Sequence, residues 1–446
     1  MLGRRKQIKV KGKKIPEGER INLPNNIVYR NVEGEHLFIA PHKPSWIVTG
    51  DIGSFMLLPL SEGKTIAQAV SFAVSGLGIG QTQARSEMEV LLQEIETQLF
   101  YESIQPEETP VKKKKGSLHL TLTRKCNLRC IHCYMDAGKP MDDELTTGEW
   151  KNVIERFTER FGESNITLSG GEPLLRDDFF DIAEYARSKG HSLFVLSNGI
   201  PIDSQETAVR LARLADDIQI SVDGVSSETT DPIRGKGTFD KIITAIKFLK
   251  EAGAKLYLAF VLLPENITLL EKELVSFLTS LDYQGINIRI DDHVTDLGRA
   301  VDLAPEYFEL SSRSRKRVRN ILQQLWEKGW SKPPRIFLQR RLKNCGIGHG
   351  LAVDANGDIY PCSIPICKFG NFRTHDFQEV SGQISRLYAA TIVEKMEKCS
   401  DCEVKFVCSG GCRIENFIKN GSYLIPACQD GIKQEILQRM VHLKGY

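Results

Sequence analysis

The chain has 446 residues, a formal net charge of +2 and 11 cysteines. This length predicts about two or three domains rather than one core. The longest apolar run, residues 256–263, is too short to cross a bilayer, and no apolar stretch follows the basic start of the chain. We therefore expect a cytoplasmic protein with no membrane association, in which cysteines favour metal ligation over disulfides.

The first hundred residues predict a basic tail and a small α+β domain. Residues 1–22 are rich in lysine and arginine and predict a disordered segment. Over residues 23–104, short strands are expected at 27–30, 36–39 and 45–49, then a helix from about Asp51 and further helices at 65–75 and 83–101. This order is of winged-helix type. Residues 105–116 contain Pro106, Pro110 and a lysine run, and predict an exposed linker.

A regular alternation of strands and helices follows over residues 117–300. Strands are expected at 118–123, 165–168, 191–196, 217–222, 255–263 and 285–290, with helical patterns between them. Such alternation predicts an α/β fold with parallel strands and right-handed crossovers, and six strands suggest a partial (β/α)6 barrel. A helical bridge at 301–340 and a cysteine-rich domain at 341–446 complete the chain. Active sites of such barrels lie at the carboxyl ends of the strands.

Three cysteines follow the first barrel strand with the spacing C-x3-C-x2-C, namely Cys126, Cys130 and Cys133. This spacing lets one short loop offer three thiolates to a four-iron cluster, so that one iron has no protein ligand. An open coordination position is typical of a reactive centre rather than a structural one. The pattern therefore favours an enzyme.

A second motif completes a family resemblance. The cysteine loop continues into Tyr134, and the second barrel strand ends in Ser169-Gly170-Gly171-Glu172-Pro173. Both motifs, in this order, resemble the radical S-adenosylmethionine family. The resemblance implies S-adenosylmethionine bound at the open iron, a 5'-deoxyadenosyl radical formed on reduction, and a flavodoxin- or ferredoxin-type reductant as partner.

The resemblance also implies residues that contact the cofactor. Gly170 and Gly171 would allow a close backbone approach, and Glu172 would accept from the cofactor ammonium group. For Arg234 the alternative is a surface ion pair with Asp231 or Asp240. The full set of expected cofactor contacts is Tyr134, Gly170, Gly171, Glu172, Pro173, Ser197, Asn198, Ser221 and Arg234.

Eight further cysteines lie beyond residue 344 and resemble the SPASM domain, which carries auxiliary four-iron clusters. By that resemblance one auxiliary cluster is held by Cys399, Cys402, Cys408 and Cys428, and the other by Cys345, Cys362 and Cys412, which makes three [4Fe-4S] clusters in the chain. Cys367 either closes the second auxiliary cluster, is a buried apolar residue, or leaves an open iron that would bind a substrate thiolate. Zinc is the alternative metal.

The amino-terminal domain points to the substrate. Residues 39–53 and 60–70 resemble the PqqD-like recognition element, which binds leader peptides by strand addition to a sheet edge. A DNA-binding winged helix is disfavoured because the helix expected at 65–75 contains no arginine or lysine. We therefore expect a ribosomally made precursor peptide with a leader sequence as partner, and no nucleic acid.

The three regions together resemble peptide maturases that install crosslinks, in particular sactipeptide synthases. This resemblance implies a cysteine thioether as product, with the auxiliary clusters as electron acceptors. Asp291, Asp292 and His293, at the end of the sixth barrel strand, are candidate proton acceptors or else polar caps of the strand end.

Three alternatives stay open from the sequence. One is a carbon–carbon crosslinking maturase, and another is a non-enzymatic metal-binding regulator. The third is an anaerobic sulfatase-maturing enzyme, although Ser363 stands where that family is expected to have an aspartate.

Overall fold

A computed structural model describes residues 7–10, 13–16, 18–43, 45–102, 116–283, 286–291, 294–308, 315–330, 343–428 and 431–442. The chain divides into two compact units. The first comprises Met1–Lys114, Pro334–Gly346 and Tyr388–Tyr446, and the second comprises Lys115–Pro333 and Ile347–Leu387.

The described residues of the amino-terminal region form two small sheets and three helices. Strands β3, β4 and β5 form one antiparallel sheet in that order, as the pattern over residues 23–104 predicts. Helix α2 begins after Thr65, whose hydroxyl accepts from the Gln68 backbone in a capping box. The elements are β1 (Gln7–Val10), β2 (Lys13–Pro16), β3 (Val28–Val32), β4 (Glu35–Ala40), β5 (Ser45–Thr49), α1 (Asp51–Ser61), α2 (Ile66–Leu77) and α3 (Gln81–Thr97).

The expectation of a disordered tail over residues 1–22 is wrong for part of that segment. Strands β1 and β2 pair with each other as an antiparallel ribbon, with Ile8 opposite Ile15. Isoleucine and valine alternate with polar residues in β1, a period typical of strands. Because the segment is rich in lysine, this short alternation did not lead to a strand prediction.

The second unit is built on parallel strands that alternate with helices, which confirms the predicted α/β fold class. Strands β6 to β11 are consecutive neighbours in one sheet and all pair in parallel. Their apolar side chains and those of the helices form one core. The elements are β6 (Ser117–Thr121), α4 (Thr147–Phe161), β7 (Asn165–Ser169), α5 (Phe179–Ser188), β8 (Ser192–Ser197), α6 (Gln205–Leu214), β9 (Asp217–Ser221), α7 (Ser227–Arg234), α8 (Thr238–Glu251), β10 (Leu256–Val261), α9 (Ile267–Ser280) and β11 (Ile286–Asp291).

The sheet continues beyond the six predicted strands. Strand β12 (Leu351–Val353) pairs in parallel with β6, and β13 (Asp358–Tyr360) and β14 (Gly370–Asn371) extend the sheet antiparallel to nine strands. These strands are only two or three residues long, so the sequence shows no periodic pattern that would predict them.

The remaining described helices lie in the last third of the chain. Of the bridge expected at 301–340, residues 301–308 and 315–330 are described. The linker expected at 105–116 falls outside the described residues apart from Gly116. The helices are α10 (Arg315–Glu327), α11 (Phe377–Ala390), α12 (Lys405–Cys408), α13 (Arg413–Asn420) and α14 (Ile432–His442).

Each face of the β3–β5 sheet packs against an apolar cluster within the first unit. Phe38 and Ile47 pack into the core formed by α1, α2 and α3. On the opposite face, Leu37 and Trp46 pack against apolar residues of α14, and the Trp46 Nε1 donates to the Met440 carbonyl at 3.2 Å. The two ends of the chain therefore share one core.

Among the described residues, no helix combines the length and the apolar character needed to cross a membrane.

Candidate active site and cysteine clusters

A cavity of about 570 Å³ opens at the carboxyl ends of the parallel strands. This is the edge at which a barrel of this type carries its site. Its volume lies within the range of roughly 300–1,000 Å³ typical of small-molecule sites. Eight of the residues predicted from the sequence line it, namely Cys126, Cys130, Cys133, Tyr134, Gly170, Gly171, Ser197 and Asn198. Three further predicted residues also line it, namely Ser221, Arg234 and Asp291.

The loop that carries the first three cysteines is held by its backbone. Cys126 N–H donates to the Gly138 carbonyl at 2.9 Å, which closes the loop at its stem. At its far end, the Arg299 Nε donates to the Cys130 carbonyl at 3.1 Å. Burial raises the pKa of the Cys126 thiol to about 11. Ligation to iron lowers a thiol pKa because the metal binds the thiolate.

The two glycines of the GGEP turn pack against the stem of this loop. A Cβ atom on Gly170 would lie 2.5 Å from the Thr123 carbonyl oxygen, and one on Gly171 would lie 2.5 Å from that of Lys125. Gly171 N–H donates to the Thr123 carbonyl at 2.8 Å. The glycines thus allow a close approach of two backbone segments, which places the turn directly beside the cysteine loop.

Glu172 points into the protein and its carboxylate is already engaged. Its Oε2 accepts from the Asn198 N–H at 2.6 Å, and its Oε1 accepts from the Ser197 hydroxyl at 3.0 Å. Burial raises the pKa of this carboxyl to about 7. Glu172 does not line the cavity; it links the turn after β7 to the turn after β8. Pro173 begins a short 3-10 helix, Pro173–Leu175, and is also buried.

Asn198 connects the second of these turns to the cysteine loop. Its Nδ2 donates to the Asn127 Oδ1 at 2.8 Å and lies 3.8 Å from the Cys126 sulfur. Tyr134 follows the loop and lines the cavity, and burial raises the pKa of its hydroxyl to about 12.

Arg234 belongs to a buried charged cluster rather than to the surface. Its Nη2 lies 2.7 Å from the Asp223 Oδ2, and its Nη1 lies 3.7 Å from the Cys130 sulfur. This geometry contradicts the alternative of a surface ion pair with Asp231 or Asp240. Arg234 reaches the site because α7 ends at this residue, next to the cysteine loop.

Sequence reasoning missed His132 and Asp223. The His132 Nε2 lies 3.4 Å from the Asp223 Oδ2, and burial lowers the pKa of the imidazole although Asp223 opposes this. Asp223 is almost fully buried and adopts a left-handed backbone with φ of 62°, which places its carboxylate between His132 and Arg234. The signal was available, since His132 lies between two cysteines and Asp223 lies two residues after the end of β9.

The far side of the cavity is lined by residues from β11. The Asp291 carboxylate lies 3.0 Å from the Arg289 Nε, and an Arg289 Nη1 donates to the Gln219 side chain at 3.4 Å. Asp291 is therefore a cavity residue that is paired with Arg289. Asp292 and His293 lie outside the described residues. Ser363 also lines the cavity.

The cavity fits an iron–sulfur cluster together with a polar ligand. Three buried polar atoms in its wall have no hydrogen-bond partner in the described part of the chain, namely His119 Nε2, His132 Nδ1 and Arg234 Nε. Buried donors and acceptors are normally satisfied, so such atoms indicate a binding partner. Three thiols beside them provide the ligands that a cluster needs.

The first unit carries a second group of cysteines after the short helix Val393–Lys395. Burial raises the pKa of the Cys399 thiol to about 11, and the neighbouring Cys408, Cys402 and Cys428 thiols raise it further. The four proposed ligands of one auxiliary cluster are thus near one another. Among the described residues no three Cys, His, Asp or Glu side chains converge on a single-ion position. An iron–sulfur cluster does not require such convergence, because each thiolate binds a different iron of the cluster.

Arg413 is a third residue that sequence reasoning missed. Its guanidinium is fully buried and donates to the Thr391, Ser409 and Gly411 carbonyls at 2.7 to 3.0 Å. Burial lowers the pKa of this group, whereas the thiols of Cys345, Cys399, Cys408 and Cys412 raise it. The charge therefore lies among cysteines of both proposed auxiliary sets.

The other cysteines are distributed between the units. Cys345 and Cys412 belong to the first unit, and Cys362 and Cys367 belong to the second. Cys345 and Cys428 are exposed, and Cys412 caps the amino end of α13. Cys367 has a left-handed backbone with φ of 60°, which is unusual outside glycine.

In the first unit, the segment around Cys402 contacts the amino-terminal sheet. The Glu403 carboxylate, next to Cys402, lies 3.0 Å from an Arg30 nitrogen on β3 and 2.7 Å from the Lys433 Nζ. Val404 packs in the same apolar cluster as Trp46. The sheet therefore packs directly against the loop that carries Cys402.

Comparison with known proteins identifies both cysteine regions. The Radical SAM superfamily matches residues 120–274, and an iron-sulfur cluster-binding domain, SPASM, matches residues 345–403. The mycofactocin maturase MftC of Mycobacterium tuberculosis is 30% identical over 347 residues, covering 72% of this chain and 85% of that protein. The AdoMet-dependent heme synthase of Oleidesulfovibrio alaskensis is 28% identical over 333 residues, covering 69% and 85%.

A solved structure shares the fold over most of the chain. Streptococcus suis SuiB bound to S-adenosylmethionine has a TM-score of 0.54 at 17% identity, covering 92% of this chain and 99% of SuiB. SuiB bound to its precursor peptide SuiA gives a TM-score of 0.54 at 15% identity. These matches, and the extent of the MftC match, assign the chain to the radical SAM superfamily, as an enzyme that uses S-adenosylmethionine and [4Fe-4S] clusters and carries a SPASM domain.

Proposed function

We propose that this enzyme matures a ribosomally synthesised precursor peptide, and that the modification is a crosslink, specifically a cysteine thioether. Membership of an enzyme superfamily excludes the alternative of a non-enzymatic metal-binding regulator. The relative MftC is named a maturase, and SuiB shares the fold and has been solved with a precursor peptide. These relatives support a peptide substrate.

The observation that carries the proposal is the small sheet of the first unit. Its order is β3, β4, β5, so each outer strand has one side without a strand partner in the described part of the chain. An extended peptide can add to such an edge through backbone hydrogen bonds. Apolar residues of β4 and β5 on both faces are buried in the first unit, whereas the outer edges of β3 and β5 have no strand partner in the described residues.

The chemistry requires a hydrogen atom acceptor, a base and an electron acceptor. Bound S-adenosylmethionine at a reduced cluster supplies a radical that takes a hydrogen atom from an unactivated carbon. Forming one C–S bond breaks one C–H and one S–H bond. The hydrogen atom leaves in 5'-deoxyadenosine, the thiol proton goes to a base, and one electron goes to an acceptor, for which the auxiliary clusters are the candidates.

The residues of this chain would divide these tasks. Cys126, Cys130 and Cys133 hold the cluster, and Arg234 and His132 provide polar groups toward the bound cofactor. Asp291 accepts the thiol proton, since it lines the cavity and is the carboxylate nearest the end of β11.

The cavity residue Ser363 weighs against the sulfatase-maturing alternative, which is expected to have an aspartate there. A serine hydroxyl is a much weaker base than a carboxylate.

The test uses the anaerobically reconstituted enzyme and the peptide encoded by a short neighbouring reading frame. Mass spectra should show that the peptide loses two hydrogen atoms for each crosslink. One free thiol should disappear with each of them. A cysteine-free version of the peptide is the control. Modification of that version would contradict the thioether and favour a carbon–carbon crosslink, and heme formation with an iron tetrapyrrole in place of peptide would contradict peptide maturation.

A further inference from the structure

Arg413 begins α13 directly after Cys412, and its guanidinium contacts the loop that joins α12 to α13. Its Nη1 donates to the Gly411 carbonyl at 2.7 Å, and its Nη2 donates to the Ser409 carbonyl at 2.7 Å. Both carbonyls belong to the short segment between Cys408 and Cys412. The guanidinium therefore lies against the backbone that joins two proposed cluster ligands.

The same guanidinium also contacts a segment that is connected to a distant cysteine. Its Nε and Nη2 donate to the Thr391 carbonyl at 3.0 and 2.8 Å. The Asn344 Nδ2, next to Cys345, donates to the Thr391 hydroxyl at 2.7 Å and to the Thr391 carbonyl at 3.2 Å. Thr391 thus connects Arg413 with the segment that carries Cys345. These hydrogen bonds give Arg413 a structural role, and its positive charge needs a separate explanation.

The charge of Arg413 has no acidic partner in the described part of the chain. Its hydrogen-bond acceptors there are carbonyl oxygens, and Glu415 on the same helix pairs with Lys419 at 2.8 Å. A buried charge normally requires a counter-charge, because its transfer from water is costly. Burial raises the pKa of the Cys399 thiol, whereas the Arg413 charge lowers it. The counter-charge of Arg413 is therefore expected at the cysteines.

Lys405 is a second buried cation in this region. Its Nζ donates to the Ser400 carbonyl at 2.5 Å, in the turn that follows Cys399. Lys405 also has no ion-pair partner among the residues that the structure describes. Lys433 differs from it, because its Nζ lies 2.7 Å from the Glu403 carboxylate. Two buried positive charges without acidic partners therefore lie beside the cysteines of one proposed auxiliary set.

A four-iron cluster bound by four thiolates has a net negative charge, and reduction by one electron makes that charge larger. A buried positive charge stabilises the reduced state more than the oxidised state and so raises the reduction potential. We propose that Arg413 raises, through its charge, the reduction potential of the auxiliary cluster held by Cys399, Cys402, Cys408 and Cys428. This inference rests on the auxiliary clusters of the proposed function, and it makes this cluster a better acceptor for the electron released on crosslinking.

The test separates charge from hydrogen bonding. Arg413→Gln removes the charge, whereas Arg413→Lys keeps the charge and loses part of the hydrogen bonds. Lys398→Gln is the matched control, because Lys398 also lies next to a proposed ligand, Cys399, but is exposed. All the proteins also carry alanine in place of the three cysteines of the C-x3-C-x2-C motif and of Cys345, so that the signal comes from one proposed cluster. Iron content is measured together with the midpoint potential, which is followed by electron paramagnetic resonance during a redox titration.

Arg413→Gln is expected to lower the equilibrium constant for reduction about tenfold, which corresponds to a midpoint potential about 59 mV more negative. Arg413→Lys should stay near the wild-type potential at neutral pH. The control Lys398→Gln should also stay near it, because water and salt screen an exposed charge.

The pH dependence of Arg413→Lys tests the charge even if Arg413→Gln binds no iron. A buried lysine can lose its proton, whereas arginine keeps its proton. The potential of Arg413→Lys should therefore fall when alkaline pH removes the lysine proton, and the wild-type potential should not change over the same range.

Three results would overturn the inference. Equal potentials of wild type, Arg413→Gln and Arg413→Lys at neutral and alkaline pH would mean that the charge does not act on the cluster. Equal shifts in both variants at neutral pH, or loss of iron from both, would assign Arg413 a structural role only. Absence of iron from the wild-type auxiliary set would remove the cluster itself. No peptide is added, so these outcomes are independent of the proposed peptide substrate.

Discussion

The two cysteine regions differ in what surrounds their sulfur atoms. The thiols of Cys126, Cys130 and Cys133 line a cavity whose wall contains polar atoms without partners. The thiols of Cys399 and Cys408 lie near Arg413, a fully buried guanidinium whose donors are satisfied by carbonyl groups. The first arrangement suits a centre that binds and transforms a ligand. The second suits a closed centre that holds or passes electrons.

The largest effect is expected when one cysteine is replaced by alanine in each region and the two variants are compared. Cys130→Ala should abolish 5'-deoxyadenosine formation, a loss of about 10³-fold or more, because the reactive cluster loses a ligand. Cys402→Ala should retain that reaction within about threefold but fail to give the modified peptide. Iron content and 5'-deoxyadenosine are measured for both. Loss of 5'-deoxyadenosine in Cys402→Ala with the iron at Cys126 intact would break the division of roles.

The next prediction concerns the buried charge of the second region. Arg413→Gln should lower the free energy of unfolding by about 3 kcal/mol, because glutamine cannot replace all the hydrogen bonds to the surrounding carbonyls. Urea unfolding measures this change, and iron content shows whether the auxiliary clusters still assemble. Arg386→Gln, at an exposed position, is the control and should change little. If Arg413→Gln were as mild as the control, the guanidinium would not organise this region.

The first region should instead respond to pH through Glu172. Burial raises the pKa of this carboxyl from 4.5 to about 7, so the folded protein binds more protons than the unfolded chain between these values. The free energy of unfolding should therefore fall as pH rises from about 4.5 to 7, by about 3 kcal/mol at most. Glu172→Gln should flatten this slope in urea unfolding of the metal-free protein. An unchanged slope would show that another group is responsible.

The smallest effect is expected at the contact between Glu403 and the amino-terminal sheet. Glu403→Gln weakens the ion pairs with Arg30 and Lys433, whose own side chains are partly exposed, so a loss of about 1 kcal/mol is expected. Thermal unfolding checks this, with Glu397→Gln at an exposed position as the control. A loss well above that value would mean that these charges decide how the sheet packs.

Much of the fold could be predicted from the sequence because its helices and strands follow local hydrophobic periodicity. The six parallel strands show apolar runs or apolar–polar alternation, helical patterns separate them, and the site residues lie near the strand ends. Helix α7 was missed because Pro232 and the glycines around it interrupt the helical pattern. Strands β12 to β14 were missed because they are too short to show a period.

The cysteine ligands could be predicted from the sequence because their spacing is itself a chemical signal. The ion pairs among Asp223, His132 and Arg234 could not be predicted, because these residues lie on three segments that only the folded sheet brings together. The engagement of Glu172 by Ser197 and Asn198 also depends on neighbouring strands. Arg413 has no acidic partner in the sequence pattern, and its environment consists of backbone carbonyls that no motif reveals.

The shared core of the chain ends has a consequence during synthesis. Helices α1 to α3 can cover one face of the β3–β5 sheet early, but the opposite face stays open until α14 has left the ribosome. The barrel strands are translated in that interval and can fold first, since domains generally fold as units while the chain emerges. A nascent chain stalled before residue 432 would thus display the apolar residues Leu37 and Trp46, which is a surface that chaperones and proteases recognise.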